Sequence, residues 1–139
     1  LMTEELIPVA APQLVQELGI RTPADVARAT QLVHSSQSTV WPEWYAMQGL
    51  DYVGSWPTLS FDQFTMIVPA AVAGLGVALV PAIMVESELA TGALVRLFEP
   101  SALKRPGHHH YLAYPAEKQD YPPVAAFRVW LLAKVADQT

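Results

Sequence analysis

The sequence predicts an α/β domain, a mainly parallel sheet covered by helices. Three observations carry that expectation. Strand-like and helix-like segments alternate along almost all of the 139 residues, the pattern of a sheet built with right-handed crossovers. The run Val77-Ala78-Leu79-Val80 is continuously apolar, which suits a strand buried on both faces. Hydrophobic residues make up 52% of the chain and charged ones 15%, enough apolar material for one core, while twelve prolines and seven glycines exclude a long uninterrupted helix.

Glu5–Ala10 reads as the first strand, with Pro8 pointing to an edge or a strand entrance. Pro12 opens a brief helix through Leu14, Val15 and Leu18, and Gly19 suits a left-handed C-cap. Thr22-Pro23-Ala24-Asp25 is a helix start, with Thr22 at the N-cap, Pro23 first and Asp25 third. Gln31–Ser35 is the next strand and Ser35–Thr39 a polar loop. Val40–Gln48 returns to helical spacing, with Trp41, Trp44 and Tyr45 on one face and Gly49 at its end. Two aromatic rings three residues apart on one face are expected in the core.

A connection at Gly54–Pro57 leads to Thr58–Phe61. Ser60 or Asp62 is expected to cap a helix running to about Ala73, with Phe64, Ile67, Val68 and Ala71 inward. Gly74-Leu75-Gly76 turns the chain into the Val77–Val80 strand. Pro81 starts a short helix that ends at Gly92, with Glu86 and Glu88 outward. Leu94–Phe98 is expected as a strand, Pro100–His109 as an irregular loop and Tyr111–Tyr114 as the last strand. Pro122-Pro123 opens a final helix, where Val124, Phe127, Leu131 and Val135 form an apolar stripe.

Composition excludes several functions. The net charge is −5, and the eight Lys and Arg residues are scattered, so these residues offer poor contacts to nucleic-acid phosphates. With no cysteine there is no disulfide, thiolate nucleophile or Cys-bound metal, which fits a reducing cytoplasm. The apolar stretch Met66–Met84 is broken by Pro69, Gly74, Gly76 and Pro81 into pieces too short for a bilayer, and Leu1–Pro8 shows no secretory pattern. The order Leu1-Met2 leads us to expect an excised piece of a longer protein. No nucleophile elbow or HExxH motif occurs, and Glu4, Glu5, Asp25, Glu43, Asp62, Glu86 and Glu88 are dispersed, so no enzyme activity, cofactor or metal is expected. Adjacent His108, His109 and His110 cannot all face one ion and read as a solvated loop, and His34 reads as a partner of nearby backbone. Gly74-x-Gly76 lies between a helix and a strand, the reverse of a dinucleotide loop.

The stretch Phe61-Asp62-Gln63-Phe64, then Ala70-Ala71-Val72-Ala73-Gly74-Leu75-Gly76-Val77-Ala78-Leu79-Val80-Pro81, then Glu86–Val95 ending in Gly92-Ala93-Leu94-Val95, resembles the substrate-binding domain of LysR-type transcriptional regulators. Leu6-Ile7-Pro8-Val9-Ala10-Ala11-Pro12 is similar to that family's opening strand. Trp41-Pro42-Glu43-Trp44 and Phe127-Arg128-Val129-Trp130-Leu131 resemble the branch that holds the glycine-cleavage and β-lactamase activators. The similarity runs in register along the whole chain. It departs from the family at Ala10-Ala11, where Cys-Ser is common, and at Gln63-Phe64, where small or hydroxyl residues are common.

The resemblance implies a periplasmic-binding-protein type II-like subdomain. Residues 1–116 would form the distal half of an effector-binding domain, and 117–139 a C-terminal helix that packs on a first subdomain absent from this sequence. It implies a cytoplasmic, homo-oligomeric regulator, dimer or tetramer, that meets DNA only through an N-terminal helix-turn-helix domain, with no membrane partner. A small-molecule effector would bind in a cleft. Two strand-to-helix joins suit such a ligand: Ser35-Ser36-Gln37-Ser38, and Ser60-Phe61-Asp62-Gln63-Phe64, where free backbone N–H groups fit a carboxylate-bearing effector. The expected ligand-binding residues are Ser36, Gln37, Ser60, Phe61, Asp62, Gln63, Phe64, Pro81 and His110, those at Gln63, Phe64 and the His110-Tyr111 strand by resemblance. The alternative is one lobe of a periplasmic-type solute-binding protein, and an α/β enzyme fragment is more distant.

Overall fold

The structure is a computed structural model, and it describes residues 1–52, 54, 57–99 and 101–137. Ser55 and Trp56 of the expected Gly54–Pro57 connection, and Pro100, lie outside the described residues. The chain divides into two compact units, one of residues 5–103 and one of residues 1–4 with 104–139.

The strands are β1 (Met2–Ala10), β2 (Gln31–His34), β3 (Thr58–Phe61), β4 (Val77–Pro81), β5 (Val95–Arg96) and β6 (Leu103–His110). The helices are α1 (Pro12–Leu18), α2 (Val40–Met47), α3 (Phe64–Val72), α4 (Glu86–Thr91) and α5 (Pro122–Ala136). The larger unit carries the strand order β3-β2-β4-β1-β5. The α/β class is as expected, but the sheet is mixed. β2 runs parallel to β3 and β4, whereas β1 runs antiparallel to β4 and β5. Two helical segments, α1 and the 3-10 turn Pro23–Arg28, stand between β1 and β2. A single crossover helix would have returned the chain parallel.

Alternation along the central strands sorts the core into two layers. Leu6, Ala10, Val77 and Leu79 pack with Trp41, Trp44 and Tyr45 of α2. Ile7, Val9, Ala78 and Val80 pack with Ile67, Ala70 and Ala71 of α3. The two Trp rings meet edge to face at 5.6 Å, as the core reading expected. Their indole N–H groups donate to Leu32 O at 3.2 Å and Ser101 O at 2.8 Å, so neither ring is available for stacking on a ligand. A Cβ at Gly76 would lie 2.2 Å from Thr30 O, while the next N–H, that of Val77, donates to the same oxygen at 2.9 Å. Only glycine lets β4 start against β2 this closely.

Several local expectations change. Pro8 lies in an interior strand, opposite Leu79 of β4. It is tolerated because its carbonyl, taken by Leu97 N at 2.9 Å, marks the side on which its missing N–H would point, and there β5 ends at Arg96. The segment after Thr22 is a 3-10 turn, held by the Asp25 carboxylate on the N–H groups of Arg21 and Thr22. Neither Ser60 nor Asp62 caps α3, whose N-cap is Gln63. The helix expected from Pro81 divides into the 3-10 turn Ala82–Met84 and α4. The strand expected at Leu94–Phe98 shrinks to two residues, and Phe98 just beyond it is left-handed (φ 55°).

In the smaller unit the expected loop at Pro100–His109 is in large part β6, which pairs with β1, and no strand forms at Tyr111–Tyr114. The sequence of β6 has no apolar alternation, because seven of its eight residues are half-buried or exposed. Its order comes from pairing and from side chains: Arg105 donates to Glu4 at 3.1 Å in a largely buried ion pair, and Thr3 Oγ1 lies 3.3 Å from His109 Nδ1. α5 has the stripe expected of it, with Val124, Leu131 and Val135 half-buried and Phe127 exposed. No residue of α5 is buried.

Candidate functional site

β2, β3 and β4 are parallel and end at His34, Phe61 and Pro81, so their carboxyl ends share one edge of the sheet. Ligands of open α/β sheets gather beyond such an edge. His34 and Phe61 are register partners. The chain leaving β2 is tied to the chain leaving β3 by two bonds: Ser35 N donates to Phe61 O at 2.8 Å, and Ser35 Oγ donates to Asp62 Oδ1 at 3.0 Å.

The structure brings Ser36 and Gln37 beside the start of α3 through His34. Ser36 N donates to His34 Nδ1 at 3.2 Å, and Ser36 Oγ lies 2.8 Å from the same atom. Gln37 N donates to His34 O at 2.9 Å. The His34 ring then packs on the Phe64 ring, with centroids 4.6 Å apart. His34 was expected to serve nearby backbone, and it does. Gln63 is extended (φ −142°, ψ 140°), and its Oε1 accepts from Thr65 Oγ1 at 3.2 Å. The first N–H groups of α3 receive no side-chain cap. They are what a helix start offers to an anion.

The remaining expected residues sit differently. Phe61 is half-buried and packs with the α3 layer of the core. Ser60 is exposed, and strand alternation puts its side chain on the opposite face from Phe61. Pro81 is buried at the end of β4, opposite Leu6. His110 is exposed on β6 in the smaller unit, where its carbonyl accepts from Leu1 N at 2.6 Å. Sequence reasoning placed Ser35 in the first join without its partner, and it left out Thr65. Ser35 and Asp62 are 27 residues apart, and no local pattern announces their bond.

Next to Phe64, a groove of about 250 Å³ is lined by Phe64, Thr65, Val68, Pro69, Met84 and Glu88. Its walls are mostly apolar, with Glu88 supplying the one formal charge among these residues. A larger groove of about 350 Å³ lies in the smaller unit among Leu112, Ala113, Tyr114, Pro123, Val124 and Phe127. It is poorer in chemistry: its one polar side chain, Tyr114, has its hydroxyl taken by Arg128 at 2.9 Å. Among the described residues no group of three or more His, Asp and Glu could hold a metal ion. No helix among them is long and apolar enough to cross a membrane.

Comparison with known proteins bears on the whole chain. The family model described as "LysR substrate binding domain" matches residues 1–136. The glycine cleavage system transcriptional activator of Escherichia coli K12 is 33% identical over 137 residues, which is 98% of this chain and 44% of that protein. The HTH-type transcriptional activator AmpR of Rhodobacter capsulatus is 30% identical over 135 residues, covering 95% of this chain and 43% of that one. The effector domain of the transcriptional regulator AmpR of Pseudomonas aeruginosa superposes with a TM-score of 0.78 at 26% identity, over 99% of this chain and 65% of that one. The chain thus spans less than half the length of these curated relatives.

Proposed function

The chain belongs to the LysR substrate-binding domain family, and from that premise we propose that it is the effector-sensing part of a LysR-type transcriptional regulator. The family match over residues 1–136 carries this reading, and relatives named as transcriptional activators favour it over a solute-binding lobe. In this reading residues 1–116 form the distal regulatory subdomain and 117–139 the crossover helix. DNA is contacted by another part of a cytoplasmic homo-oligomer, and the chain performs no catalysis.

The effector binds where β2, β3 and β4 end. Ser36, Gln37, Ser60, Phe61, Asp62, Gln63, Phe64 and Pro81 are the proposed contacts there; His110, in the smaller unit, is proposed as a ligand contact on the family resemblance alone. The uncapped N–H groups of α3 suit a carboxylate. Phe64, standing where relatives often have a smaller group, narrows the site and favours an apolar or aromatic portion on the effector. Binding shifts transcription only to the extent that the effector prefers one arrangement of the regulator over another.

Calorimetric titration with the twenty proteinogenic amino acids and short-chain carboxylates tests this. At least one should bind, and Phe64→Ser should weaken an apolar or aromatic binder roughly tenfold, the loss expected for about 1.4 kcal/mol of packing. Equal affinity in the variant, or no binding by any member, contradicts the site.

A further inference from the structure

The ligand residues proposed above leave out the group that joins them. We propose that His34 contacts the effector directly, as a hydrogen-bond donor through Nε2, and that the backbone N–H of Ser36 fixes it in that role. This rests on the reading of the β2–β3–β4 edge as the effector site.

A backbone N–H can only donate, so the bond from Ser36 N at 3.2 Å requires a bare lone pair on His34 Nδ1. Ser36 Oγ lies 2.8 Å from the same atom, and with Nδ1 accepting it stands as a second donor. A neutral imidazole carries one proton, and with Nδ1 accepting, that proton is on Nε2. The ring is also held against turning: strand alternation puts it on the same face as Leu32, and it packs on Phe64 at 4.6 Å with a 42° tilt. No hydrogen bond from Nε2 is formed among the described residues. His34 is half-buried as the last residue of β2, at the edge where Phe61 and Pro81 also end. A donor whose tautomer is set by the Ser36 N–H, held on two sides and unspent on the third, is suited to an acceptor oxygen on a small ligand. The occupant chemistry is a carboxylate or carbonyl, which accepts without having to donate. Ser36 then acts through His34, as a positioning residue.

The test uses the same amino-acid and carboxylate panel with three readouts. Ring nitrogen NMR of the wild-type chain should show the Nε2–H tautomer before any ligand is added. His34→Phe keeps a ring on Phe64 and removes the donor, so the panel member that binds should bind roughly tenfold or more weakly. His34→Gln, whose amide reaches a similar position, should retain most of the affinity, and it stands in if the Phe variant does not fold. Ser36→Ala keeps its backbone N–H and should leave the tautomer unchanged with a smaller loss of affinity. An Nδ1–H tautomer in the free protein overturns the inference whatever binds. Equal affinity of wild type and His34→Phe overturns it as well, and if Gln63 and Phe64 still respond to that ligand the proposed function survives. No binding by any panel member overturns both.

Discussion

The residues whose packing was easiest to foresee are not those that define the chemistry around them. Trp41 and Trp44 were legible as core because two large rings share a helical face. The buried polar group beside them was not. Gln31 is fully buried at the start of β2, where its Nε2 donates to Tyr45 Oη and its Oε1 accepts from Tyr52 Oη, both at 3.3 Å. A strand pattern does not announce partners 14 and 21 residues away. Burial pushes the Tyr45 phenol up to about 12 from 10.0, against the lowering effect of the Gln31 hydrogen bond. The folded state therefore holds its proton at a pH where the unfolded chain has released it. The stabilisation is complete below about pH 10 and is lost as pH rises through 10 toward 12, by roughly 3 kcal/mol in all. Urea unfolding at pH 9 and pH 11.5 should show most of that loss, and Tyr45→Phe should flatten the difference. An equally steep alkaline decline in Tyr45→Phe would assign it to another group. His34 and Ser36 follow the same lesson at the candidate site. Their residue types were visible, but the bond to Nδ1 depends on how the chain turns after β2.

At the scale of elements, period and punctuation marked the interior well and the margins poorly. β4 was legible because four apolar residues follow a glycine turn, and α1 because Pro12 opens it and Gly19 closes it in the left-handed region (φ 61°). β6 was illegible because its order comes from pairing with β1 and not from apolar alternation. The start of α3 was located to within one to three residues, yet the capping residues were wrong: Asp62 is engaged by Ser35 from the neighbouring chain segment, a tertiary contact that overrides local capping preference. Gly76 gives the sharpest element-level prediction. A methyl group there meets the Thr30 carbonyl at 2.2 Å and would push β4 off β2 where Val77 N bonds the same oxygen. Gly76→Ala should lower stability by about 3 kcal/mol or prevent folding, measured by denaturant unfolding. A change under about 0.5 kcal/mol, the size of an ordinary surface substitution, would show that the β2–β4 start yields easily.

For the whole molecule, the α/β class and the two-sided core followed from the alternation of segments, but strand direction did not. Counting helices between strands does not say which strands become neighbours, and β1 joins the sheet against β4 with opposite polarity. The final helix raises a further expectation. Phe127, Val129, Trp130 and Leu132 of α5 are each at least half exposed, and nothing on α5 is buried. Covering such side chains is worth about 1.5–3 kcal/mol each, so the isolated chain should self-associate. Sedimentation velocity should show concentration-dependent association that Phe127→Ser with Leu132→Ser reduces, whereas a monomer at all concentrations would contradict it. A small effector is proposed to bind at the common edge of β2, β3 and β4. The most direct test of that binding is backbone NMR of the chain titrated with the amino acid or carboxylate that binds. Resonances of Ser36, Gln37, Gln63 and Phe64 should move together and saturably. Movement confined to Leu112, Tyr114, Val124 and Phe127, with the strand edge unchanged, would place the ligand in the groove of the smaller unit and contradict binding at the β2–β3–β4 edge.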